Sequence, residues 1–302
     1  MKPGSEHTGR AASLIPVLAV VGVGLIGGSF AAALRKAGAV GRVLGVGRSA
    51  QALEQAQALG LIDEPATIEQ ACAEVDLILI STPVGAVGDT LARIRPFLRP
   101  ETLITDACST KADVIAAARE ALGDRIRQFV PGHPIAGAEQ TGPAAADAAL
   151  YRGRNVLLTP LPENSHAARV LVSRAWEACG ARVLTLDARS HDTVLASVSH
   201  VPHFLSSAYM WQVAMAPDAD VRMSLAGSGF RDFTRISAGS AEVWRDIFLS
   251  NREAVLSELQ EVRAALDRAQ EALQEADGRK LEDFLERAAL ARRLWASRSG
   301  QS

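Results

Sequence analysis

Apolar and polar positions alternate in short blocks through the first half of the chain. β-Branched and aliphatic runs at residues 17–21, 42–46, 76–81 and 103–106 have the length of buried strands, and each is followed by a segment with helical periodicity. The helix after the first run ends near Gly38, and a second helix over residues 49–59 is closed by Gly60. Thr82-Pro83 starts a third helix, and Ser109 or Thr110 is a natural N-cap for the next. A short strand falls at Phe129-Val130, and strands at 155–159 and 182–186 flank a helix over 165–179. Strands alternating with helices predict an α/β, Rossmann-type, mostly parallel sheet covered on both faces.

After Asp187 the strand signals stop. Val255, Leu259, Val262, Leu266, Ala269 and Leu273 form one apolar stripe on a long helix, with Glu, Arg and Gln on the other faces. Asp277-Gly278 interrupts the pattern, and residues 280–295 are helical again. The expected organisation is a flexible tail at 1–13, the α/β sheet domain at 14–187 and an all-helical domain at 188–302. The two C-terminal helices carry more apolar surface than a small domain buries alone, which predicts a homodimer.

Composition narrows the function classes. With 48% hydrophobic residues the chain can build real cores, and a net charge of −2 without a basic run gives nucleic-acid binding no electrostatic support. Cys72, Cys108 and Cys179 are scattered and odd in number, as expected of a reducing, cytoplasmic compartment. The uncharged stretch 14–34 is nearly long enough to span a bilayer, but Gly22, Gly24, Gly27 and Gly28 interrupt it and suit a turn, so no membrane insertion is expected.

That glycine turn, Gly22-Val23-Gly24-Leu25-Ile26-Gly27, has the G-x-G-x-x-G spacing. The pattern alone is weak, and a tight turn with no ligand is the plain alternative. Here it follows a strand and opens a helix, where glycines admit a pyrophosphate and the helix N-terminus supplies free N–H groups. Thr82 and Pro83, at a later strand end, complete the expected cofactor set. The second strand's end selects the cofactor. An NAD site usually has an acid there, whereas this chain reads Gly47-Arg48-Ser49. Arg48, with Ser49 beside it, suits a 2′-phosphate, so NADP is expected ahead of NAD, although an exposed loop arginine would read the same way.

Gly132-His133-Pro134 follows the Phe129-Val130 strand in what reads as a loop at the sheet's C-terminal edge, and a histidine braced by Gly and Pro is held in place. The segments G-V-G-L-I-G-G-S, D-A-C-S-T-K, G-H-P-I-A-G-A-E, S-H-V-P-H, G-F-R-D-F-T-R-I and W-R-D-I-F-L-S-N occur in that order. Together they make the chain resemble the prephenate/arogenate dehydrogenase family over nearly its whole length. The resemblance implies His133 as the catalytic histidine and Ser109 as its polar neighbour beside the nicotinamide. It also implies His200 and His203 in the substrate pocket, Arg231 as carboxylate binder, Trp244 in a pocket-and-interface segment and Glu139 near the entrance. The implied reaction is oxidative decarboxylation in tyrosine biosynthesis, with no metal required because the aromatising ring accepts the electrons.

On residue chemistry alone, Ser109 serves equally as a helix cap, and His200 and His203 could make a metal pair that lacks a third ligand. Arg231, beside Asp232, reads equally as part of a surface ion-pair cluster, and Trp244 as plain packing. Two rival functions remain at this level. One is another NADP-dependent dehydrogenase, of the β-hydroxyacid or imine-reductase kind. The other is a protein that senses NADP(H) without turning it over.

Overall fold

The structure is a computed structural model that describes residues 13–138 and 140–299. The expected tail, apart from Ser13, and Glu139 lie outside the described residues.

The first apolar run becomes strand β1 (Ile15–Val21), followed by helix α1 (Leu25–Lys36), β2 (Val40–Val46) and α2 (Ala50–Ala58). The uncharged stretch that could have crossed a membrane is therefore a strand, a turn and a helix. Among the described residues no helix is long and apolar enough to cross a membrane. Then come β3 (Glu64–Pro65), α3 (Ile68–Cys72), β4 (Leu77–Ile80), α4 (Val87–Ile94), β5 (Leu103–Asp106), α5 (Ala112–Leu122) and β6 (Phe129–Val130). These strands form one parallel sheet in the order β3-β2-β1-β4-β5-β6. The order reverses between β1 and β4, and such a switch point opens a crevice at the strands' C-terminal ends.

Alternation along β1 explains why the sheet is covered on both faces. Leu18 and Val20 face a cluster holding Phe30, Tyr151 and Trp176, while Ala19 and Val21 face one holding Ile78, Ile80 and Ile104. Phe30 and Trp176 lie 4.5 Å apart by ring centroids, and Trp176 and Tyr151 meet edge-on at 5.2 Å. Full burial of each such side chain contributes about 1.5–3 kcal/mol. Helix ends follow local chemistry. Ser49 caps α2 by accepting from the Ala52 N–H at 3.2 Å, and Gly60 closes that helix in the left-handed region at φ +70°.

Two expectations need correction. The strands expected at 155–159 and 182–186 exist as β8 (Asn155–Leu158) and β9 (Arg182–Thr185), but they do not extend the main sheet. With β7 (Gly132–Pro134) they form a separate sheet of order β7-β8-β9, in which β7 runs antiparallel to β8. The break falls at Pro131, which has no N–H to continue the ladder. His133 consequently sits on a short strand rather than in a loop, opposite Leu157. Helix α6 (His166–Ala178) joins β8 to β9.

Among the described residues the regular elements after β9 are helical, with α7 (Ala188–Leu195), a π-turn over Ala196–His200, α8 (Val201–Ala214), α9 (Ala219–Ser224), α10 (Ser228–Thr234), α11 (Ala241–Ser250), α12 (Arg252–Gln274) and α13 (Gly278–Ser299). The chain packs as two units, one ending at Arg252 and the other beginning at Glu253. In the second unit Val255 is buried, whereas Leu266 and Leu273 of the same stripe are 59% and 63% exposed.

Candidate active site

The glycine turn joins β1 to α1 at the switch point. Gly22 has φ +95°, and a Cβ there would stand 2.7 Å from the Ser81 carbonyl oxygen. Only glycine allows the ends of β1 and β4 to approach so closely. A Cβ on Gly27 would meet Ser81 Oγ, the Gly22 carbonyl oxygen and Val20, so this glycine lets α1 pack against the sheet. Gly24 is different, because nothing lies within 4 Å of a Cβ placed on it. Its open side faces a cleft of about 300 Å³ lined by Gly24, Leu25, Ile26, Thr82, Pro83 and Ser109, among others. No side chain caps α1, so its first N–H groups are free to meet an anion, and the buried Thr82 hydroxyl beside them has no partner. These residues fit a dinucleotide pyrophosphate. Arg48 lies at the end of β2 and is exposed, and Ser49 Oγ is engaged as the α2 cap.

A second pocket, of about 460 Å³, adjoins the cleft. Ser109, Val243 and Ile247 line both. His133, His200 and Trp244 line the second only. The structure thus brings four of the expected site residues together where one end of the cleft meets the pocket. Ser109 does not cap α5. Lys111 occupies the N-cap position without a side-chain bond, and Thr110 Oγ1 instead pairs with Ser250 Oγ at 2.8 Å. The cap comes from another element: Asp192 on α7 accepts from the Lys111 and Ala112 N–H groups, each at 2.8 Å.

Asp192 also begins a buried chain of hydrogen bonds. Its Oδ1 is 2.8 Å from His191 Nδ1, and His191 Nε2 is 2.9 Å from His133 Nδ1. Burial pushes the Asp192 carboxyl up, but the bonds from His191, Ala112 and Lys111 outweigh it and hold the carboxyl below its ordinary value. His133 is held well below the ordinary histidine range, first by burial and then by His191, Lys111 and His200 nearby. It is therefore neutral at physiological pH. Beneath it, the fully buried Lys111 pairs with the fully buried Asp106, whose carboxylate accepts the Gly132 and Cys108 N–H groups at 3.0 Å each. That pair ties the end of β5 to the strand carrying His133.

His200 stands at the end of the π-turn, a feature frequent at functional sites. Asn251 Nδ2 lies 3.0 Å from His200 Nδ1 and 2.7 Å from the Asp192 carbonyl oxygen. An amide nitrogen can only donate, so His200 Nδ1 accepts and its Nε2 carries the hydrogen. That Nε2 is buried without a partner. Burial, partly offset by Asp192, lowers the His200 pKa to about 4. His203 does not line the pocket. Its ring stacks on Trp244 at 3.5 Å and 12°, and burial lowers its pKa to about 4. His200 and His203 are thus engaged by different partners, and among the described residues no cluster of three or more His, Cys, Asp or Glu side chains could hold a metal ion. Arg231 on α10 is exposed and outside both pocket linings.

Sequence reasoning missed His191, Asp192, Asn251, Asp106 and Lys111. The last two and Asn251 lie within the quoted D-A-C-S-T-K and W-R-D-I-F-L-S-N segments, which was the available signal. His191 and Asp192 read as ordinary polar helix residues.

A parallel sheet of this order, a glycine turn opening on a cleft and a neutral buried histidine beside it define a nicotinamide-dinucleotide oxidoreductase. A family model described as prephenate dehydrogenase, nucleotide-binding domain, matches residues 30–185, and one described as prephenate dehydrogenase, dimerization domain, matches residues 187–287. The chain belongs to the prephenate dehydrogenase family. It is 33% identical over 278 residues to a cyclohexadienyl dehydrogenase of Zymomonas mobilis, covering 91% of this chain and 94% of the relative. Among solved structures, prephenate dehydrogenase from Aquifex aeolicus in complex with hydroxyphenyl propionate and NAD+ matches with TM-score 0.86 and 32% identity, over 92% of this chain and 97% of that one. Synechocystis arogenate dehydrogenase matches with TM-score 0.78 and 28% identity, over 92% and 99%.

Proposed function

We propose that this chain oxidatively decarboxylates prephenate or arogenate, with His133 as the proton acceptor and NADP as the preferred hydride acceptor. The observation that carries the reading is the junction of cleft and pocket at Ser109, with neutral His133 in the pocket wall. The names of the relatives, which span prephenate, cyclohexadienyl and arogenate dehydrogenases, support the substrate class.

The residues divide the work as follows. A bound nicotinamide ring supplies the acceptor for the hydride that leaves the carbinol carbon. His133 takes the hydroxyl proton as the carbonyl develops, and Ser109, which lines the same pocket, is assigned to orient that oxygen. The C–CO₂ bond then breaks, its electrons complete the aromatic ring, and CO₂ departs. The unpaired Nε2–H of His200 suits a substrate oxygen, and Trp244, backed by stacked His203, forms an apolar wall. Arg231 suits a bidentate carboxylate contact, and Glu139 is assigned to the entrance. Helix α10 is tied to the pocket helices through Ser206 Oγ, which donates to the Phe233 carbonyl at 2.8 Å.

NADP preference is supported by the absence of an acid at Gly47 and by Arg48 beside it. A homodimer is supported by the match to a dimerization domain and by the exposed apolar residues of α12, and a cytoplasmic location by the three free, scattered cysteines. A functional boundary at 187/188 is supported by the limits of the two family models. The test is an assay of dinucleotide reduction with prephenate and arogenate, each crossed with NADP and NAD. Turnover of at least one substrate, with higher kcat/KM for NADP, is expected. No turnover in any combination would overturn the reading.

A further inference from the structure

We infer that His191 and Asp192 form a buried proton relay behind His133, so that the proton taken from the substrate hydroxyl comes to rest on His191 rather than on His133. The inference rests on His133 being the base, and it assigns positioning and proton-holding roles to two residues that only pass charge through it.

The geometry fixes the hydrogens. Asp192 is ionised, because it accepts two backbone N–H groups and the His191 ring nitrogen. His191 Nδ1, 2.8 Å from that carboxylate, must therefore carry a hydrogen. In a neutral ring this leaves a lone pair on His191 Nε2. His133 Nδ1, 2.9 Å from that lone pair, must then be the donor. His133 Nε2 is left with its lone pair and is the nitrogen of that ring free to meet substrate. One carboxylate, acting through two rings, sets the tautomer a base requires.

The same chain directs the charge. When His133 Nε2 gains the substrate proton, its Nδ1–H can pass to His191 Nε2. No bond other than N–H changes, and the net result is a neutral His133 and an imidazolium at His191. Staying on His133 would place the positive charge beside the buried cation Lys111, with only the Asp106 carboxylate beneath to offset it. Moving it one ring away places it against Asp192. The other ionisable group facing this chain is His200, which burial keeps neutral. After product leaves, the reverse transfer returns the proton to His133 and to solvent through the pocket.

His191→Gln separates relay from scaffold. The amide oxygen can still accept the His133 Nδ1–H and hold the ring, but it cannot take on a proton. With either productive substrate, kcat should fall about tenfold or more. In the wild type the acid limb of kcat/KM belongs to the hydrogen-bonded pair, because one extra proton on the pair, wherever it sits, puts a hydrogen on His133 Nε2 and removes the base. In the variant only His133 titrates, so the limb should move to lower pH. A proton inventory in mixed H₂O and D₂O should be curved in the wild type and linear in the variant. An unmoved acid limb with an unchanged inventory would overturn the relay and leave His191 as packing. Imidazole ¹⁵N NMR of the unmodified enzyme gives a second readout that needs neither the variant's fold nor turnover. It should show both His133 and His191 in the Nδ1–H form at neutral pH. An Nε2–H form of His133 would refute the relay, whereas correct tautomers without dehydrogenase activity would refute the function instead.

Discussion

Replacing Lys111 by Met deletes a charge at the base of the site while keeping most of the side-chain volume. Both partners of the Lys111–Asp106 pair are fully buried, so Asp106 would become a buried anion without its cation. Breaking such a pair from one side costs about 3–5 kcal/mol. Asp106 would keep the Gly132 and Cys108 N–H groups, which places the expected loss at the lower end, near 3 kcal/mol. At about 2–4 °C per kcal/mol for a unit of this size, Tm should fall by roughly 6–12 °C. An internal control is the Arg119–Glu163 pair on the surface, whose side chains are 45% and 36% exposed. Arg119→Met should leave Tm unchanged within error, because water screens that pair. Urea unfolding of all three proteins, fitted with a common slope, converts the shifts into free energies. If Lys111→Met loses less than about 1 kcal/mol, or no more than the surface control, the pair does not bear the stability argued from its burial.

Four further outcomes follow from the site. His133→Asn should lower kcat about 10²–10⁴-fold with little change in KM, and near-normal kcat would remove it as the base. Arg231→Ala should raise KM for the cyclohexadienyl substrate roughly ten- to a hundredfold while KM for NADP stays constant, and weakened NADP binding would place that arginine elsewhere. Gly47→Asp with Arg48→Ile should shift kcat/KM from NADP toward NAD. The structure has room for it, since a Cβ on Gly47 meets nothing closer than Leu53 at 3.4 Å, and a preference for NAD in the unmodified enzyme would refute the premise. Light scattering at micromolar concentration should give twice the chain mass, and a monomer mass would exclude the dimer.

The main sheet was legible because buried parallel strands leave an unambiguous trace. Residues 77–80 and 103–106 are apolar runs bounded by turn residues, and the structure places strands there. The second sheet was not legible as separate, since β8 and β9 carry the same signature and no residue pattern states which sheet a strand joins. The break at Pro131 and the antiparallel pairing of β7 with β8 decide it, and that is a matter of tertiary placement. At the site, glycine spacing located the cleft, whereas the role expected of His133 came from the family resemblance and not from the Gly-His-Pro segment by itself. The cap of α5 was misplaced because its carboxylate comes from Asp192, 80 residues from Ala112 in sequence. Local rules describe caps supplied from within a few residues, and no such rule reaches across that distance.

The two family models meet between Thr185 and Asp187, yet the hydrogen bonds that set His133 cross that seam. The ring proposed as the base lies in the first half, whereas the carboxylate at the far end of its hydrogen-bond chain lies near the start of the second. Inheritance of the two halves is therefore not free. A nucleotide-binding half recombined with a foreign helical half would keep its cleft and its histidine but lose the instruction that makes that histidine a base. The hydrogen-bonded unit at this site is neither half alone but the short run around Asp192 together with the strand that carries His133.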